Sequence, residues 1–188
     1  MTERAYLTGQ FLIAMPAMAD PNFDRTVTYV CEHNDDGALG IIVNRPTAMR
    51  LGEVLEQMDL KIADAALAEQ PVLQGGPVQP ERGFVIHDDR EHEFGSTLAV
   101  GNGLRVTTSR DILVALAEGN GPERAVIALG YAGWGAGQLE AEMADNAWLT
   151  VPASADIIFS VPFERRWESA AALLGVSITA LSPEAGHA

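Results

Sequence analysis

Apolar and polar positions alternate over residues 26–33, with Val27, Tyr29, Cys31 and His33 on one side and Thr26, Thr28 and Glu32 on the other. That is the two-residue period of a strand. Asn34-Asp35-Asp36-Gly37 is a turn signal and residues 39–43 form an apolar return, so the two runs predict a hairpin that Pro46 ends. A short buried strand is predicted at residues 11–14. Leu51, Val54, Leu55 and Met58 recur at i, i+3, i+4 and i+7, which predicts a helix. Val72 and Leu73 lead into the Gly75-Gly76-Pro77 break, and residues 83–87 predict another strand. Residues 88–93 read as an exposed loop, and residues 97–100 and 104–107 as a second hairpin around Gly101-Asn102-Gly103.

Thr108 or Ser109 is placed to cap a helix that runs to Ala117 and stops at Gly119-Asn120-Gly121-Pro122. Residues 125–129 predict a buried strand, 138–145 a helix and 157–161 a further strand. Pro162 is suited to open a last helix through Trp167 to Leu174, with Gly175 as its stop and a loose tail from Ser182. Strands that come in hairpins, with helices inserted between them, predict an α+β fold in one domain over residues 1–188.

Charge narrows the function. Twelve basic residues against 26 acidic ones give a net charge of −14. Binding to nucleic acid takes most of its non-specific affinity from neutralised phosphates and needs a basic face. Here the arginines are scattered apart from Arg165-Arg166, and Lys61 is the only lysine, so direct nucleic-acid binding is not expected. The lone Cys31 cannot form an internal disulfide, which fits a reducing cytoplasm. The apolar run at residues 11–15 is shorter than the roughly 7–15 residues of an export signal and reads as a strand. No apolar run approaches the roughly 18 residues needed to span a membrane.

Four blocks of sequence carry a family resemblance. They are residues 9–16 with 20–27, then Glu32-His33 running on to residues 37–46, then Gly75-Gly76-Pro77-Val78 with residues 82–87, and finally the glycine-rich stretch 130–140. In this order and spacing the chain resembles the YqgE/AlgH family of bacterial proteins, through Trp148 to Trp167. The resemblance implies a strongly bent, mostly antiparallel sheet like a split barrel, with helices packed outside. It implies no particular chemistry, since most members lack an assigned activity and some carry the label of transcriptional regulator. The charge gives that label no support.

The stretch 130–137 holds Gly130, Gly133, Gly135 and Gly137 with Trp134 among them, between a strand-like and a helix-like segment. Glycine at that density serves a tight turn, a contact surface or an anion cradle at a helix start. The spacing matches neither a dinucleotide fingerprint nor a P-loop, and Glu140 would occupy the positive helix end itself. A second group is Asn22, Arg25, His33, Asn44 and Arg45, which could converge at one end of the sheet. It would then either hold a small carboxylate or phosphate, or brace two loops. Residues 20–24 imitate a calcium loop, but positions six and twelve hold Arg25 and Cys31 instead of glycine and glutamate. Asp20 and Asn22 are better read as turn formers. Cys31 and His33 share a strand face, roughly 7 Å apart, too far for direct proton transfer. His87, His92 and His187 read as surface residues. The sequence thus names no catalytic residue, metal or cofactor. It points to a binding or regulatory protein with a protein partner of basic or mixed surface, and secondarily to an enzyme or sensor for a small anion.

Overall fold

The structure is a computed structural model and describes residues 6–88, 93–101 and 103–181. His92, His187 and the tail from Ser182 lie outside the described residues. The chain runs through β1 (Gln10–Ala14), β2 (Val27–Asn34), β3 (Gly37–Ile42), β4 (Pro46–Arg50), α1 (Leu51–Gln57) and α2 (Ala65–Ala68). It continues through β5 (Pro71–Gln74), β6 (Val78–His87), β7 (Thr97–Gly101), β8 (Leu104–Thr107) and α3 (Asp111–Glu118). The last part holds β9 (Ala125–Gly135), α4 (Gln138–Ala144), β10 (Trp148–Pro152), α5 (Ala155–Phe159) and α6 (Arg166–Ala172).

Both predicted hairpins form, β2 with β3 and β7 with β8. The strands join one sheet in the order β10-β1-β2-β3-β9-β6-β8-β7, with β4 and β5 as a side branch. Among the described residues every pairing is antiparallel except β5 with β9. The sheet is mixed, curled and mostly antiparallel, the α+β half-barrel the sequence implies.

Alternation along the strands sorts side chains to two faces. Phe11 and Ile13 of β1, Tyr29 of β2, Ile41 of β3, Phe84 and Ile86 of β6, and Val126 and Ala128 of β9 converge in one core cluster. This is the concave face, and α5 and α6 cover it with Ile157, Ile158, Trp167 and Ala170. The opposite, convex face is covered in two places. Helices α1 and α3 bury Leu51, Leu55, Ile112 and Leu116 against Val85 and Ile127. Helix α4 buries Leu139 against Leu12, Val30 and Trp134. Both faces of β2 are therefore sealed from Val27 to Cys31, and Thr26 and Thr28 are buried as fully as Val27.

Three expectations change. Residues 157–161 are not a strand, because Ser154 accepts the Ile157 N–H and opens α5 instead. An apolar run that short carries no period to separate strand from helix. Neither Thr108 nor Ser109 caps α3; Ser109 donates to Asp111 and accepts from the Ser96 N–H, tying the helix start to β7. His87 is not at the surface. Strand β6 lies between β8 and β9, so His87 is fully buried with Nε2 at 2.7 Å from the Thr107 hydroxyl.

Candidate functional site

The glycine-rich stretch is not a loop at a helix start. Residues 130–135 belong to β9, which runs straight on from the strand predicted at 125–129. Gly130 (φ +79°) breaks the alternation within it. Before it, Val126 and Ala128 face the concave core; after it, Tyr131 takes that side while Ala132 and Trp134 face the convex one. Gly75 and Gly76 cross here. A Cβ on Gly130 would lie 2.5 Å from the Gly76 carbonyl oxygen, and one on Gly76 only 2.1 Å from the Tyr131 carbonyl carbon. The glycines let two backbones touch where β5 meets β9, a structural use that leaves no cradle for a phosphate.

Trp134 is correspondingly buried at 6% exposure, not displayed on a flexible loop. It packs against Phe23 and Trp148 with ring centroids 6.1 and 6.2 Å away, over Gly40, where a Cβ would crowd its ring. Glu142 of α4 accepts both indole N–H groups on Oε1, from Trp134 at 3.1 Å and Trp148 at 3.0 Å. Gly133 and Gly135 are exposed neighbours on the same strand, and the Gly135 N–H is taken by Gln138.

A β-bulge separates Cys31 from His33. Val30 faces Gly40 and Glu32 faces Leu39, so Cys31 is the extra residue on β2. Cys31 consequently joins the concave core, whereas His33, paired with Ala38, turns to the convex side. No thiol–imidazole pair exists, and burial pushes the Cys31 thiol far above its ordinary range. His33 is buried at 6% exposure between the chain before β1 and helix α4. Its Nδ1 accepts the Leu7 N–H at 2.9 Å, which leaves the hydrogen on Nε2, directed at the Glu140 carboxylate. Tyr6 stands edge-on to the ring with its hydroxyl on Asp35.

The polar group around Asn22 converges only in part. Asn22 donates its N–H to Asp20 in the expected side-chain turn. Arg45 donates to the carbonyls of Pro21, Asn22 and Asp24 at 2.7–2.9 Å, and Asn44 bridges the Val27 N–H and the Arg25 carbonyl. Arg25, in the left-handed region at φ +56°, lays its guanidinium 5.5 Å above the Trp167 ring. These four residues brace the turn before β2 against the end of β3. His33 is elsewhere: it is the penultimate residue of β2, about 20 Å along the strand from Val27 at about 3.3 Å per residue.

One open groove lies over β3 and β9. It measures about 500 Å³ and is floored by Leu39, Val78, Tyr131 and Gly133 and rimmed by Glu32, Asn34 and Asp36. Leu39, Val78 and Tyr131 are half-buried, and Glu32 and Asp36 are exposed. Sequence reasoning named Gly133 and Trp134 from this groove but missed the acidic rim, since Glu32 and Asp36 belong to a hairpin that only β-pairing brings beside β9. It also missed the contact of Glu140 with His33 and the role of Glu142 beneath Trp134, since both relations exist only after folding. Among the described residues no group of His, Cys, Asp and Glu is arranged to hold a metal ion, and no helix is long and apolar enough to cross a membrane.

The curled, mostly antiparallel half-barrel with helices on both faces defines the class of protein by its fold. The chain belongs to the AlgH-like (DUF179) family, whose model matches residues 11–179. It is 56% identical to a UPF0301 protein of Thioalkalivibrio sulfidiphilus over 100% of both chains. A UPF0301 protein of Xanthomonas campestris pv. campestris is 54% identical over 97% of this chain and 96% of its own. Among solved structures, the solution structure of the AlgH protein from Pseudomonas aeruginosa matches with a TM-score of 0.79 at 51% identity, covering 100% of both chains. A Corynebacterium diphtheriae protein at 19% identity, covering 90% of this chain and 87% of its own with a TM-score of 0.70, shares the fold alone.

Proposed function

We propose that the chain is a non-enzymatic binding or regulatory protein of the cytoplasm that acts by taking a basic protein segment into the groove over β3 and β9. One observation carries this reading: half-buried Leu39, Val78 and Tyr131 form an apolar floor beside the exposed carboxylates of Glu32 and Asp36. An apolar centre with a charged rim is the anatomy of a protein contact, and the net charge of −14 steers basic partners toward it. His33 supports a non-catalytic reading, because both ring nitrogens are already held within the protein. Arg45 does not support a metabolite site, because its guanidinium is spent on three carbonyls. Any effect on transcription is then indirect, and no retardation of duplex DNA is expected even in dilute buffer.

The test is an NMR titration with a lysine-rich amphipathic peptide, a polyglutamate peptide serving as the control. The lysine-rich peptide is expected to shift the amides of Gly37, Leu39 and Gly133, more weakly as salt rises. The exposed double reversal Glu32→Lys with Asp36→Lys should abolish the shifts and leave the fold intact. Equal response to both peptides, or undiminished binding by the reversal variant, would remove the groove from consideration.

A further inference from the structure

Arg166 is 3% exposed, yet among the described residues no carboxylate lies within ion-pair distance of it. Its Nε donates to the Val161 carbonyl at 2.8 Å and its Nη1 to the Val43 carbonyl at 2.6 Å. Nη2 has no hydrogen-bond partner among the described residues. A buried guanidinium matched only by carbonyl dipoles keeps an unneutralised charge, an expensive arrangement in a low-dielectric setting. Desolvation alone lowers its pKa to about 10, so the group remains cationic at neutral pH.

That charge faces a cavity of about 510 Å³ between the α2–β5 segment and the chain linking α5 to α6. Phe159, Phe163, Arg124 and Gln70 line it together with Arg166. The Arg166 guanidinium stacks 4.1 Å from the Phe163 ring centroid, and that of Arg124 stacks 5.1 Å from Phe159. Arg124 spends its Nε on Asp88 and is exposed, leaving its other nitrogens beside the cavity. Gln70 is committed to the Ala125 carbonyl through Nε2. Glu69 and Glu123 also line the cavity and are exposed.

We infer that this cavity is a binding site for a small organic monocarboxylate, its carboxylate taken by Arg166 Nη2 with help from Arg124 and its apolar body lying against Phe159 and Phe163. Guanidinium nitrogens match carboxylate geometry, and two phenyl rings supply the apolar wall a hydrocarbon body needs. Glu69 and Glu123 repel polyanions, which selects a single anionic group over nucleotides or polyphosphates. The site is separate from the groove over β3 and β9 and goes beyond the function proposed for it. It also differs from an anion site at Arg25 and Arg45, where Arg45 donates to three carbonyls and Arg25 lies over the Trp167 ring.

The experiment uses the full chain and benzoate as probe, with benzamide as its neutral isostere and inorganic phosphate as a second anion. Benzoate is expected to give saturable shifts at the amides of Ala125, Ser160, Val161 and Arg166, with weak affinity in the millimolar range, about 1 mM. Benzamide and phosphate should give none there. Because Arg166 also braces the fold, the decisive variant is Arg124→Gln, an exposed change expected to leave the melting temperature unaltered and weaken benzoate about tenfold. Arg166→Lys, which keeps the charge but loses the fork, should lose binding more fully while amide spectra report whether the fold survives. Benzamide matching benzoate, shifts centred elsewhere, phosphate binding in benzoate's place, or an Arg124→Gln variant with unchanged affinity would each overturn the site.

Discussion

The Glu142 carboxylate accepts the indole N–H of Trp134 at 3.1 Å, through the same oxygen that takes the Trp148 indole at 3.0 Å. One half-buried side chain on α4 therefore satisfies the polar atoms of the two largest residues on that part of the convex face. The helix is only seven residues long, below what holds in water on its own, so this anchor and Leu139 fix it to the sheet.

Removing that acceptor should be costly. Glu142→Ala leaves two buried indole donors unpaired at about 1–3 kcal/mol each, so a loss of about 3 kcal/mol is expected. Glu142→Gln keeps a carbonyl acceptor and should lose about 1 kcal/mol. Trp134→Ala, which would be harmless if the ring were an exposed contact, should lose about 3–5 kcal/mol. Urea titrations of the three variants give the order directly. An unaffected Trp134→Ala variant would contradict the burial of the ring.

The glycines of β9 and α4 should separate by position. Gly130→Ala forces a side chain against the Gly76 carbonyl and should cost at least about 3 kcal/mol or prevent folding. Gly137→Ala meets no atom within 4 Å and bears only the left-handed backbone penalty, about 1 kcal/mol. Soluble yield and thermal midpoints of the pair make the comparison.

Cys31 should be inert in the folded protein. Burial first, and the Glu32 charge second, raise its thiol far above neutrality, and the thiolate is the reactive form. Reaction with a thiol-titrating disulfide reagent at pH 8 should proceed only at the rate of unfolding and become immediate in denaturant. Fast labelling without denaturant would show an opening that the bulge does not allow.

Asp111 sets a small acid dependence. The Ser109 hydroxyl first, and the Gly95 and Ile112 amides after it, hold its carboxyl below the usual range. A lowered folded-state pKa gives stability that is present above the unfolded value and is lost as pH falls through the folded one. The group is solvent-exposed, so the effect is modest. Asp111→Asn should flatten the acid limb of the stability curve by lowering stability slightly at neutral pH while leaving it unchanged at low pH, as read by thermal unfolding across pH.

The α+β class, both hairpins, helix α1 and the position of α4 follow from period and turn residues, which are local properties of the chain. The bracing of residues 20–26 was readable as one of two alternatives, because Asp20, Asn22, Asn44 and Arg45 can only brace or bind. Which it would be depended on carbonyls that come within reach after folding. The bulge at Cys31 and the break at Gly130 could not be read, since each reverses the two-residue alternation that sequence reasoning must assume. Pairing across the sheet decided that Trp134 is core and that His33 meets Glu140 and not Cys31, and the packing of α6 decided that Arg166 faces a cavity without an ion-pair partner among the described residues. Those relations join residues far apart in the chain, and only the packing of two sheet faces against six helices brings them within contact distance.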